Sequence, residues 1–163
     1  MTISKETFRR SMTLFPGAVT LITAGQGADR RGITATAVCS VSDAPPSILV
    51  CVNAKTDTRA EILQTGAFSV QLLSADAHEM ALHFAGATGA KGVAKFALGD
   101  WDAWSDGPPR LGGALASLSC TVAHHSDAGS HTVFIGHIKD ACLGDGDALV
   151  YARAAFHRLA RVG

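Results

Sequence analysis

The chain predicts a mainly β, antiparallel fold with a few short helices, carried by one domain over residues 1–163. Three observations predict it. Short runs rich in Val, Ile, Leu and Thr follow one another with turn residues between them, and helical patterns do not alternate regularly with these runs. No G-x-G-x-x-G follows a strand-like run, so the usual dinucleotide fingerprint of a doubly wound parallel sheet is missing. At 163 residues the chain has the length of one domain and enough of it to bury a good core.

The elements read in order as follows. Residues 4–14 form a helix, with Phe8, Met12 and Phe15 near helical spacing and Pro16-Gly17 as the stop. Ala18 to Ala24 is a strand, and Gly25 to Gly32 turns the chain into a second strand that runs on to Val41. After Pro45-Pro46, Ser47 to Asn53 is nearly continuous in apolar residues and so is covered on both faces. Thr58-Arg59-Ala60-Glu61 has the capping-box pattern of a short helix, with Ile62 and Leu63 inward and Gly66 as its end. Ala67 to Leu73 returns as a strand. Ser74 stands as the N-cap of a further helix, whose Ala77, Met80, Ala81 and Phe84 make a buried face before Gly86. Residues 87–113 form a glycine-rich, partly ordered excursion, yet Phe96, Trp101 and Trp104 make it too aromatic for a linker. Ala114 to His124, His131 to Lys139 and Ala148 to Ala152 close the fold as strands, with turns at Gly129 and at Gly144 to Gly146. The expected count is six or seven strands and two or three helices.

Charge excludes some functions. Fourteen basic residues balance fourteen acidic ones without any long charge run, which argues against nucleic acid or an anionic membrane as the main partner. The first ten residues lack the apolar segment of a targeting signal, and no apolar run is long enough to span a bilayer; a cytoplasmic location is the expectation. Cys39, Cys51, Cys120 and Cys142 show no CxxC pairing and read as buried, reduced thiols. No HExxH or Cys/His cluster is present, so no metal site is expected.

Three places carry candidate chemistry. Thr34, Thr36, Ser40 and Ser42 fall on one face of a continuous strand by alternation, with Ala35 and Ala37 between them. Such a row suits close approach of a flat polar ligand, though a solvent-facing sheet surface has the same composition. Asn53-Ala54-Lys55-Thr56-Asp57-Thr58 joins a strand end to a helix start, where free amides and the helix dipole favour a phosphate. There Lys55 and Arg59 add charge, Thr56 and Thr58 add hydroxyls, and Asp57 opposes an anion; simple helix capping is the alternative. His131 opens a strand after Gly129-Ser130, a place where a histidine is otherwise structural or solvated.

The stretch from Arg31 to Asn53, followed by Gly129-Ser130-His131 and by Phe156-His157-Arg158-Leu159, resembles the short-chain flavin reductases. These are the reductase partners of two-component flavin monooxygenases, built on an FMN-binding split β-barrel of antiparallel, Greek-key type. The resemblance runs from about Phe8 to Leu159, and its motifs are specific by order and spacing together. It implies that Thr34, Ala35, Thr36, Ala37 and Ser40 contact FMN or FAD, the alanines letting the backbone approach the ring. Asn53, Thr56 and Thr58 match the family's phosphate pattern, with Lys55 beside them. His131 would line the nicotinamide pocket of NADH or NADPH and position the donor, since hydride transfer to flavin N5 needs no acid or base at the carbon. The family commonly has aspartate where this chain has Ser130, which bears on any hydrogen bond that orients the imidazole. Phe156 would close the barrel near the ligand or pack in the core. The resemblance further implies a homodimer with flavin at the subunit interface, and a separate oxygenase reached by diffusing reduced flavin. Three other readings fit the same barrel: a flavin-dependent reductase of a large acceptor such as a cobalt-corrin, a non-catalytic flavin- or haem-binding module, and an unliganded structural dimer.

Overall fold

The computed structural model describes residues 2–162. Helix α1 (Lys5–Met12) starts at Ser4, whose hydroxyl accepts from the Thr7 amide and so satisfies one of the free N–H groups of the first turn. Strands β1 (Gly17–Ala18) and β2 (Thr20–Ala24) follow, and β2 is buried at every position. Then come β3 (Arg31–Ala35), β4 (Val38–Asp43) and β5 (Pro46–Asn53). Helix α2 (Asp57–Thr65) stops at Gly66, whose φ of 67° is the left-handed value that glycine adopts without a Cβ penalty. The rest of the chain gives β6 (Ala67–Leu72), α3 (His78–Phe84), the hairpin β7 (Trp101–Ala103) and β8 (Pro109–Leu111), the long pair β9 (Ala116–Ala128) and β10 (His131–Leu143), and finally β11 (Leu149–Ala152) and β12 (Ala155–Arg158).

Seven strands make the main sheet in the order β3-β2-β6-β9-β10-β5-β4, each antiparallel to its neighbours. Its two edges, β3 and β4, are joined by Thr36 and Ala37 alone. Three Cα steps reach about 11 Å, so the edges converge at that corner and the sheet curls into a split β-barrel. A second sheet, β1-β11-β12, lies beside it.

Alternation along β2 explains its complete burial. Ile22 and Ala24 face one core with Val50, Phe68 and Phe134, inside the curled sheet. Val19, just before the strand, and Leu21 face a second core with Leu73, Phe84, Phe96 and Leu149. The second core fixes α3 against β3, and Gly32 is required there: a Cβ on it would stand 2.5 Å from the Phe84 ring.

Several expectations need correction. The hydroxyl-bearing run is two strands and not one, because the chain leaves β3 at one edge and enters β4 at the other; a bulge between Ser40 and Ser42 breaks the alternation again. Residues 87–113 are ordered. Phe84, Phe96 and Trp101 form a cluster with ring centroids 4.7–5.4 Å apart. Buried bonds also tie the hairpin to the sheet: the Thr23 hydroxyl and Gln71 Nε2 donate to Pro109 O at 2.7 and 3.0 Å, and the Trp104 indole donates to Ser69 Oγ at 3.0 Å. The N-cap of α2 is Thr56 in place of Thr58, and α3 begins after Ala77, with no side-chain cap from Ser74. β9 and β10 run on to Ala128 and Leu143, past the expected ends at His124 and Lys139, and the described strands number twelve because the hydroxyl-bearing run is two strands and β1, β7, β8 and β12 are too short to show a pattern. Of the cysteines only Cys120 is buried; Cys39 and Cys142 are exposed.

Candidate active site

Two adjoining recesses run along β3. The first, about 250 Å³, is lined by Thr34, Ala35 and Thr36, by Ala81 and Leu82 of α3, and by Phe156 of β12. The second, about 270 Å³, has Arg31 to Ile33 on one wall, Lys55 to Thr58 on another, and Lys91 and Lys95 opposite. They meet where α3 ends, at Ala85 and Gly86. The structure thus brings Thr34, Ala35, Thr36 and Phe156 together at one end of a groove, and Lys55, Thr56 and Thr58 at the other.

The remaining candidates lie elsewhere. Ala37 sits at the crossing between the sheet edges, its carbonyl accepting from the Cys51 amide at 3.0 Å. Ser40 lines a separate recess of about 240 Å³ with Cys39, Ile48 and Leu118. Asn53 ends β5 directly opposite His131 on β10. His131 is exposed, and its Nδ1 lies 2.9 Å from Ser130 Oγ. Serine therefore supplies a polar partner to the imidazole where the family pattern has aspartate.

Hydrogen bonding shows what the hydroxyls do. Thr34 Oγ1 donates to Ala81 O at 2.6 Å, so its proton ties β3 to α3. Thr56 Oγ1 donates to Asn53 O at 2.8 Å and accepts from the Arg59 amide at 3.2 Å, which makes it the helix cap. Asn53 Oδ1 accepts from the Lys55 amide at 2.9 Å. The first helical bond of α2 runs from Ala60 N to Thr56 O, so the amides of Asp57 and Thr58 have no intrahelical acceptor. Arg59 turns away from the groove: its Nε donates to Thr132 Oγ1 at 3.0 Å and its guanidinium pairs with Asp127. The Thr132 hydroxyl and then Arg59 hold the Asp127 carboxyl below the usual carboxylate range.

Lys95, which precedes Phe96 and to which the sequence assigned no ligand role, stands half-buried in the groove wall. Its ammonium donates to Gly32 O at 3.1 Å and to Phe84 O at 2.7 Å. Burial pushes it below its ordinary value, and Asp57 opposes that shift. The available signal was a lone lysine inside the apolar run Val93-Ala94-Lys95-Phe96-Ala97.

The two ends of the groove differ in character. Arg31, Lys55, Lys91 and Lys95 face a single carboxylate, Asp57, at one end. The other end is mainly apolar, with small residues on the strand and Leu82 and Phe156 around it. Such a donor set fits an elongated molecule with an anionic terminus and a flat, largely apolar body, which describes a phosphorylated flavin.

Comparison with known proteins gives the same direction. Residues 12–160 match the family described as flavin reductase like domain. The chain is 40% identical over 156 residues to the 4-hydroxyphenylacetate 3-monooxygenase reductase component of Pseudomonas aeruginosa, covering 95% of this chain and 92% of that one. It is 37% identical over 155 residues to the FMN reductase (NADH) RutF 1 of Methylorubrum extorquens, covering 94% and 76%. The solved structure of the Streptomyces globisporus C-1027 NADH:FAD oxidoreductase SgcE6, in complex with NAD and FAD fragments, superposes with a TM-score of 0.87 at 30% identity, covering 98% and 97%. A split barrel with a groove along its edge strand, matched over nearly its whole length by these proteins, belongs to the flavin reductase-like family.

Proposed function

We propose that this chain is an NADH-dependent flavin reductase that supplies reduced flavin to a separate oxygenase. The single observation that carries the reading is the groove along β3, cationic at the start of α2 and apolar at Phe156. When bound, the flavin supplies the redox chemistry, accepting a hydride from NADH. The chain's own residues bind and orient. Lys55 and the free amides of Asp57 and Thr58 hold the phosphate end, and Thr56 keeps those amides in place as the cap. Ala35 and Thr36 keep the β3 backbone open to the ring, with Phe156 closing the far side. His131 stands outside both recesses with Ser130 as its polar partner, and its assignment to the nicotinamide rests on the family resemblance.

The chain works as one domain and as a homodimer. No residue of α1 is buried, and Phe8, Met12 and Phe15 are exposed at 52%, 44% and 68% on that helix and just after it. An apolar set of that size is covered in a stable protein, and a second copy is the occupant this reading assigns. A cytoplasmic location agrees with the pattern of the sequence; no helix among the described residues is long and apolar enough to cross a membrane.

The test is to mix purified protein with NADH, or with NADPH, and catalytic FMN or FAD under air, following nicotinamide oxidation. Rapid oxidation of NADH that saturates with flavin is the expected result. Oxidation no faster than the flavin-only control would overturn the reading.

A further inference from the structure

Gly129 and Ser130 alone join β9 to β10, and His131 is the first residue of β10. Every residue from 123 to 131 is exposed, so core packing fixes little of this end of the hairpin. What holds it is helix α2 and the segment before it. Ala54 N donates to Ser130 O at 3.0 Å, and Asn53 faces His131 in the ladder. Arg59 makes the side-chain contact: its Nε donates to Thr132 Oγ1 at 3.0 Å and its Nη2 to Asp127 Oδ1 at 3.1 Å. Thr132 Oγ1 donates to that same carboxylate oxygen at 2.6 Å, and Thr132 and Asp127 stand opposite each other across the two strands. One guanidinium thus clamps both strands directly behind the turn, and the amide of the same residue donates to Thr56 Oγ1, the cap of α2. An ion pair as exposed as Arg59 with Asp127, at 27% and 67%, adds little to stability. Its fixed fork geometry does set where the hairpin end lies relative to α2.

We propose that Arg59 is a positioning residue for the nicotinamide: through Thr132 and Asp127 it sets the place of the β9–β10 turn, and with it His131, relative to the flavin groove. The proposal rests on the flavin reductase reading above and on the assignment of His131 to the nicotinamide. Arg59 lines neither recess, so its role does not pass through contact with the flavin. With the clamp removed, the exposed turn samples more positions, and NADH must order His131 as it binds. That cost falls on nicotinamide affinity. Arg59 stands apart from the groove, so the hydride step itself makes no use of the guanidinium.

KM and kcat for NADH, the flavin dissociation constant and a thermal melt are measured on the wild type, Arg59→Met, Arg59→Lys, His131→Ala and the double variant Arg59→Met with His131→Ala. Arg59→Met should raise KM for NADH about fivefold, the worth of one polar contact, with kcat and flavin affinity unchanged, and Arg59→Lys should restore part of the loss. Because Arg59 acts through His131, the double variant should be no worse than His131→Ala alone. Multiplied effects in the double variant would overturn the proposal, as would an unchanged KM in Arg59→Met. Equal losses of flavin and NADH affinity would make Arg59 a structural tether of α2 and overturn it as well. Should Arg59→Met fail to fold, Asp127→Asn loosens the same clamp from an exposed side chain: a raised KM for NADH supports the proposal and an unchanged one overturns it. A KM unmoved in His131→Ala would overturn the proposal, while NADH oxidation by the wild type keeps the reductase reading. A wild type that oxidises no NADH would overturn both.

Discussion

Thr36 stands at the corner where the chain passes from one sheet edge to the other, exposed and lining the apolar recess. Thr36→Trp places an indole in a recess of about 250 Å³ without disturbing a buried contact. Flavin binding should be lost while the melting temperature stays unchanged; unaltered flavin affinity would remove β3 from the site. His131→Ala should raise KM for NADH about fivefold, the worth of one polar contact, with little effect on flavin affinity. Cysteine reactivity follows burial. The Cys120 thiol is pushed up to about 12 by burial alone, and Cys51 is raised by burial and then by Cys39. At about pH 8 a thiol reagent should therefore label Cys39 and Cys142 in the native protein and reach Cys120 only on unfolding, as read by mass spectrometry. Residue identity foretold part of the groove's lining: the small residues at positions 34–36, the cap region at 55–58 and the aromatic at 156 all border the two recesses. What identity could not show is where each hydroxyl spends its proton. Thr34 and Thr56 donate to backbone carbonyls, and the cations carry the polar end of the groove instead.

Elements with a strong period were legible, and those set by tertiary contact were not. The helix ended by Gly66 and the buried strands β2, β5 and β6 follow from apolar pattern and turn residues. The break at Thr36 and Ala37 leaves no local mark, since Thr and Ala are as acceptable in a strand as at a corner. β7 and β8 have three residues each, and buried bonds from Thr23, Gln71 and Trp104 fix them to the sheet. Two substitutions test these packing arguments by thermal unfolding. The turn between β11 and β12 holds Arg153 and Ala154 at φ of 51° and 60°, where side chains are disfavoured. Ala154→Gly should stabilise by roughly 1 kcal/mol through relief of that strain, net of the added freedom of the unfolded chain. Gly32→Ala would bring a methyl to 2.5 Å from the Phe84 ring and should destabilise by roughly 1–3 kcal/mol.

At the scale of the molecule, the split barrel supplies an edge strand whose backbone meets a groove, and the second core holds α3 so that both recesses share its end. The proposed dimer rests on the exposed apolar residues of α1 and its exit, Phe8, Met12 and Phe15. Phe8→Glu with Phe15→Glu should shift the protein from dimer to monomer by light scattering; an unchanged mass would assign that face to another occupant. The central claim is that NADH reduces flavin held in the groove along β3. Its most direct test is anaerobic mixing of protein, FAD and NADH, wild type beside Thr36→Trp, with the visible absorbance of the flavin as the readout. The account predicts rapid bleaching with the wild type and only the protein-free rate with the variant. Equal bleaching by both proteins, or none by either, would contradict it.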